Sequence, residues 1–294
     1  MEIYLLRREE WEKFYNCNRI NVDDVPFVER YHPLNGTIII GLFVIFEVLY
    51  LPCLFAIYKH TEHSCYKLLF FIGISDMLML LFHGLESGVY SFTGEMFCPN
   101  YNFNYVTGSF GAALFALETS ANIFLAIDRC CDFISPKLCE FLFNGQRITF
   151  WIGFSIIFSF YYFFYVNPAF YNSVYMNWFM NPYSMKDDVY SSCYYLRINI
   201  ACCSLYAIMQ RLPMSKTLII VGYYLNYFVF GLPPFIYLFC NETIRNDVKK
   251  IIGKELHKLA KKLYSPPNSI HPSYNSRMQR SVNRPLASRF SGGN

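Results

Sequence analysis

Seven polar side chains stand where the sequence around them is hydrocarbon. Asp76, His83 and Glu86 interrupt one apolar run, Glu118 and Asn122 interrupt another, and Asp128-Arg129 closes that second run. An ionisable group in a lipid interior costs about 3 kcal/mol or more unless it faces protein or water, so such residues point to a ligand, ion or proton site, or to a switch. On a helix turning about 100° per residue, Asp76 and His83 lie within about 20° of each other, with Glu86 some 60° further round. Glu118, Asn122 and Arg129 fall within an arc of about 40°, Arg129 roughly 16 Å along the axis from Glu118. Asp76, His83, Glu86, Glu118 and Asn122 are therefore the candidates for ligand or ion binding. Glu47, in an earlier run, has no partner at helical spacing.

Other chemistries find no support. Of six histidines only His83 lies in an apolar run, and His60 and His63 stand three apart with no further ligand pattern, so no metal or cofactor is expected. Gly-rich phosphate loops, nucleophile elbows and the His-Glu-x-x-His motif are missing, which argues against an enzyme.

The elements that must hold these residues are long apolar helices. The 294 residues are 54% hydrophobic and 20% aromatic but only 16% charged, against roughly 25% charged in soluble domains. That balance excludes a disordered tail, a collagen and a nucleic-acid module. A bilayer core needs about 20 apolar residues in a helix, and the windows 37–58, 68–90, 106–127, 148–166 and 218–240 satisfy it. A sixth piece, 198–209, is apolar but too short to cross alone. The expected fold is all-α, a polytopic membrane helix bundle with five complete spans and one partial. Its organisation is an N-terminal tail (1–36), the bundle (37–240), an amphipathic juxtamembrane helix (241–264) and a disordered tail (265–294).

Charge sets the orientation. Lysine and arginine gather in the loop at 59–67, after the third span (Arg129, Lys137, Arg147) and past residue 240, where 11 of the 25 fall. The positive-inside rule then places the N-terminus outside and the C-terminus in the cytoplasm. Past Asn241, Val248, Ile251, Ile252, Leu256, Leu259 and Leu263 recur at helical spacing among Lys249, Lys250, Lys254, Lys258, Lys261 and Lys262. Such a helix lies along an anionic leaflet with its lysines at the headgroups, although a calmodulin target has a similar pattern. Cys17, Cys98 and Cys193 are the cysteines placed to face an oxidising compartment.

Some of these residues resemble known motifs. Asp128-Arg129-Cys130 at the inner end of the third span resembles the Asp-Arg-Tyr motif of rhodopsin-like G-protein-coupled receptors, with Cys130 in the tyrosine position. Asp76 resembles their second-span aspartate, and Pro233-Pro234-Phe235-Ile236-Tyr237 looks like Asn-Pro-x-x-Tyr with Pro233 replacing Asn. The nearer resemblance is to the nematode serpentine chemoreceptors of class T. It is carried by Tyr15-Asn16-Cys17, Ser64-Cys65-Tyr66-Lys67, Phe143-Asn144-Gly145-Gln146-Arg147 and Asn241-Glu242-Thr243-Ile244-Arg245, in order over most of residues 15–260.

The resemblance implies a plasma-membrane chemoreceptor that binds a small-molecule ligand inside the bundle and engages a heterotrimeric G protein. Asp128, Arg129, Cys130, Pro234 and Tyr237 would form the switch, and Cys98 and Cys193 the outer disulfide. The chain departs from the family in having no complete fifth or sixth span. A truncated, non-signalling family member is the main rival, and a small channel or transporter using Asp76, Glu86 and Glu118 a further one.

Overall fold

The computed structural model describes residues 1–15, 17, 22–180 and 215–264. Three short helices, α1 (Glu2–Leu6), α2 (Arg8–Phe14) and α3 (Phe27–Arg30), precede the bundle. Its first span, α4 (Pro33–Tyr58), begins on a proline whose missing N–H is no loss at a first turn. The second span is composite: α5 (Ser64–Leu80), a wide π turn (Leu81–Glu86) and α6 (Ser87–Thr93), which stops at Gly94 in the left-handed conformation. The third, α7 (Tyr101–Ile134), is followed by the short α8 (Pro136–Phe143) and the fourth span α9 (Arg147–Tyr165). A hairpin follows, β1 (Phe170–Asn172) pairing antiparallel with β2 (Asn177–Phe179), Tyr171 opposite Trp178.

The last span is α10 (Lys216–Gly231) and α11 (Pro233–Cys240), bent by 49° at the Pro-Pro step. Ser215 caps α10 by accepting from the Leu218 amide at 3.3 Å. Finally α12 (Glu242–Tyr264) begins where Asn241 Oδ1 accepts from the Ile244 amide at 3.1 Å. Among the described residues four helices are long and apolar enough to cross a membrane, and the bent α10–α11 pair makes up to five. The expected five windows are therefore all present as helix. Residues Met1–Ile251 form one compact unit, and the chain from Ile252 onward is a second that includes the rest of α12.

Packing follows the sequence pattern of the spans. Phe46, Tyr50 and Leu54 of α4 meet Met79 and Leu80 of α5 and Tyr227 and Phe230 of α10 in one buried cluster. Leu68, Phe124, Phe143 and Ile148 join α5, α7, α8 and α9 in another. Close approach explains two glycines. A Cβ on Gly231 would sit 2.2 Å from the Phe46 ring, and one on Gly84, within the π turn, 2.8 Å from Phe43 Cβ.

Two expectations need correction. Cys98 is bonded to Cys17, their Cα atoms 5.5 Å apart, so it is not available to Cys193, which lies outside the described residues. The bond fits the packing: Met1, Trp11 and Tyr15 of the tail are buried with Phe97, Tyr105 and Phe170, which brings Cys17 beside Cys98. The tail is thus a folded cover rather than a free segment. The π turn corrects the second expectation, because an extra residue per turn shifts everything after Leu80 out of the regular-helix register used to place His83 and Glu86. The partial span at 198–209 and the tail at 265–294 lie outside the described residues.

Candidate functional site

The described polar residues occupy four levels along the bundle. At the hairpin end, Tyr90 of α6 places its hydroxyl 2.7 Å from Glu86 Oε1 and 2.6 Å from Asn104 Oδ1 of α7. Asn104 in turn donates to the Met96 and Phe97 carbonyls. The hairpin is pinned over this level. Trp178 Nε1 donates to Ser87 Oγ at 2.9 Å, the Tyr171 hydroxyl pairs with Ser91 Oγ at 2.9 Å, and Ser173 donates to the Tyr90 carbonyl at 3.1 Å. Gly108 makes the fit possible, since a Cβ there would lie 2.0 Å from the Ala169 carbonyl oxygen.

One level down, the His83 ring stacks on Phe230 with centroids 5.4 Å apart and faces Trp178 and Tyr223 at 6.1 Å each. Its backbone carbonyl accepts from the Tyr223 hydroxyl. Nδ1 of His83 is buried with no hydrogen-bond partner among the described residues. At mid-bundle, the buried Tyr50 hydroxyl reaches Asp76 Oδ2 at 2.7 Å and the Phe230 carbonyl at 2.8 Å, sharing its single proton between them. The second oxygen of Asp76 has no partner among the described residues, and the Glu118 carboxyl is near enough to act on Asp76 electrostatically. Asn122 donates to Glu118 Oε1 at 2.8 Å from an exposed position one turn on. Glu47 Oε1 is also buried and, among the described residues, unpartnered.

The opposite end carries the acid–arginine pair. Asp128 is 0% exposed, while the Arg129 side chain is 51% exposed and donates twice to Asp128 Oδ2, from Nη2 at 2.6 Å and Nε at 3.1 Å. Cys139 of α8 donates weakly to Asp128 Oδ1 at 3.6 Å, and Cys130 is exposed. Pro234 is buried at the bend, its carbonyl 3.9 Å from Cys53 Sγ, and Tyr237 packs beside Cys53, Ala56 and Ile57. Ile244 and Val248 of α12 complete that cluster. Just outside the apolar spans, His60 Nε2 meets Asp247 Oδ2 at 3.0 Å, and this hydrogen bond, with Lys59 and Lys250 nearby, holds the Asp247 carboxyl below the usual carboxylate range. Lys249 and Lys250 are exposed on the same helix, and Lys254, Lys258, Lys261 and Lys262 are exposed in the second unit.

The structure brings Asp76 to Glu118 and Glu118 to Asn122, but Glu86 belongs to a separate cluster with Tyr90 and Asn104, with His83 at a level between them. Tyr50, Tyr90, Asn104, Trp178 and Tyr223 complete these networks and were not singled out by sequence. Their one signal was a polar tip on a residue otherwise read as apolar.

Helices that cross a bilayer with their carboxylates turned inward define a polytopic membrane bundle, the class that includes the seven-span receptors. Comparison with family models makes the assignment specific. Two stretches, residues 2–202 and 189–261, match the model described as serpentine type 7TM GPCR chemoreceptor Srt, and the chain belongs to that family. The stretches overlap at 189–202, so one short piece of chain is shared by two parts of the family pattern, and the described residues hold up to five spans where the family description gives seven. No curated protein and no solved structure matches the chain.

Proposed function

We propose that the chain is a plasma-membrane chemosensory receptor that binds a small molecule inside the bundle and signals to a heterotrimeric G protein from its Arg129 end. The observation that carries this reading is the Asp128–Arg129 clasp. A fully buried carboxylate holds a half-exposed guanidinium at one end of the longest span, with a free face for a partner. Breaking a charge-assisted pair of this kind takes about 1.5–3 kcal/mol, small enough for ligand binding to supply. Support for the orientation comes from both ends. Lys59, Lys67, Lys137, Arg147, Lys249 and Lys250 follow the Arg129 end, and the Cys17–Cys98 bond lies at the hairpin end, as an oxidising exterior requires. The ligand contacts proposed are Asp76, His83, Glu118 and Asn122, with Trp178 and Tyr223 closing over His83. The exposed apolar residues of α12, Ile252, Leu256 and Leu259, are proposed to lie in the inner leaflet with the lysines at its headgroups.

The test is a reporter-cell screen of small volatile and soluble chemicals, with wild type and Arg129→Ala compared at equal surface expression. The wild type is expected to signal and the variant to be silent. Equal signalling by both would refute the role of Arg129. The second reading, a non-signalling family member, is favoured by the break in the family match and by the 34 residues available between Met180 and Ser215. Retention of a surface-tagged chain in the endoplasmic reticulum would support it.

A further inference from the structure

Tyr90 stands between two oxygens that both need its proton. Its hydroxyl lies 2.7 Å from Glu86 Oε1 and 2.6 Å from Asn104 Oδ1. The Asn104 amide cannot be turned to offer an N–H instead, because its nitrogen is spent on the Met96 and Phe97 carbonyls at 3.0 and 3.2 Å. Two oxygen–oxygen contacts of this length hold two protons when both bonds are fully formed, and a tyrosine supplies one. Asn104 Oδ1 only accepts, so the second proton has one possible owner, the Glu86 carboxyl.

Charge balance points the same way. No lysine or arginine occurs between Lys67 and Arg129, in α4 or in residues 167–180, so the elements packed around Glu86 offer it no cation. The titratable groups that face the cluster are Tyr171 of β1, whose ring centroid is 5.5 Å from that of Tyr90, Glu95, which acts on Tyr90, and His83 on the π turn itself. From α7 come only the neutral Asn104 amide and the Thr107 hydroxyl, and α4 meets this stretch with Gly36, Ile40 and Phe43. An ionised carboxylate here would be taken out of water with no counter-charge.

We propose that Glu86 is a proton-binding site and that its proton latches the tail cover. With the proton in place the bonds run in one direction: Glu86 donates to Tyr90, Tyr90 to Asn104, and Asn104 to the Met96 and Phe97 carbonyls. Phe97 is buried with Trp11 and Tyr15 of the tail, and Cys98, the next residue, is bonded to Cys17. Loss of the proton leaves one hydrogen for two oxygens, and the carboxylate takes it as the stronger acceptor. Asn104 Oδ1 then faces the phenol oxygen at a distance two bare oxygens do not keep, so Asn104 moves and unseats the carbonyls that position Phe97 and Cys98. The closed arrangement binds one proton more than the open one. Acid therefore closes the cover and base opens it, by about tenfold in the equilibrium per pH unit over the range in which the proton leaves. The latch does not rest on receptor signalling.

The test uses the full chain in phosphatidylcholine nanodiscs. Infrared difference spectra between acid and alkaline buffer should contain a protonated-carboxyl carbonyl band that is missing in Glu86→Gln and shifted in Tyr90→Phe. Hydrogen exchange at residues 96–105, corrected for its intrinsic pH dependence, should quicken about tenfold per pH unit through that titration in the wild type. Glu86→Gln, whose amide donates to Tyr90 as the acid does, should stay protected and flat. Should the glutamine variant not fold, the band shift in Tyr90→Phe decides alone. Carboxyl bands that Glu86→Gln or Tyr90→Phe leaves unchanged, or exchange no steeper with pH in the wild type than in Glu86→Gln, would overturn the proposal and leave one hydroxyl proton divided between two acceptors, as at Tyr50.

Discussion

Removing one oxygen from Tyr50 tests whether the mid-bundle network holds three helices together. The residue is fully buried on α4, and its hydroxyl touches Asp76 on α5 and the Phe230 carbonyl on α10. Tyr50→Phe preserves the ring, so packing against Leu54 and Phe230 stays and only the polar contacts go. Hydrogen bonds inside membrane bundles are worth about 0.6–1.7 kcal/mol each, and the one proton removed here serves two acceptors. Asp76 suffers more than this figure, because its other oxygen already has no partner among the described residues. The expected loss is about 1–3 kcal/mol, a fall in melting temperature of roughly 3–10 °C for a chain of this size. Thermal unfolding in mild detergent, followed by thiol exposure of the buried Cys53, measures it directly. Tyr58→Phe, at a tyrosine 61% exposed near the end of the same helix, is the control and should leave the midpoint unchanged. Equal midpoints for wild type and Tyr50→Phe would show that the hydroxyl binds nothing that matters, and the reading of Asp76 as an interior anchor would fail with it.

Other outcomes follow from the same geometry. Gly108→Ala places a methyl group 2.0 Å from the Ala169 backbone oxygen, so the hairpin must lift, and protease cleavage between Ala169 and Phe179 should rise several-fold. His60→Ala should weaken the start of α12 by about 0.5–1 kcal/mol, read as faster hydrogen exchange at residues 244–251 with the bundle unaffected. The Asp247 carboxyl is held down by His60, so its contribution is complete above its ordinary value of 3.8 and disappears as pH falls through the lowered one. The stability gap between wild type and Asp247→Asn should therefore be flat near neutrality and close in acid. A gap that instead widened below pH 4 would contradict the assignment.

The spans were legible because hydrocarbon length is a coarse and unforgiving requirement. The window 37–58 became Pro33–Tyr58, and 148–166 became Arg147–Tyr165. Inward-facing acids were legible for the same reason: Asp76 and Glu118 are indeed buried. What failed to show was anything set by contact between distant segments. Nothing local marks the π turn, where Phe43 of α4 and Tyr227 of α10 come close enough to Gly84 to leave no room for a side chain. The partner of Cys98 depended on where an aromatic tail of mixed charge would dock, and Trp11, Tyr15 and Tyr105 settled that by packing. Tyr50 and Tyr90 were hidden among 25 tyrosines because the hydroxyls that matter are distinguished only by what lies opposite them.

The three tryptophans are distributed one to a layer. Trp11 stacks in the tail cover, Trp178 stands over His83 at the neck, and Trp151 donates to the Leu142 carbonyl beside the Arg129 end. The unmodified protein therefore carries its own optical probes. With two indoles replaced by phenylalanine, the emission of the third reports cover, neck or base separately, and a stimulus that travels down the bundle would be read as three signals in sequence.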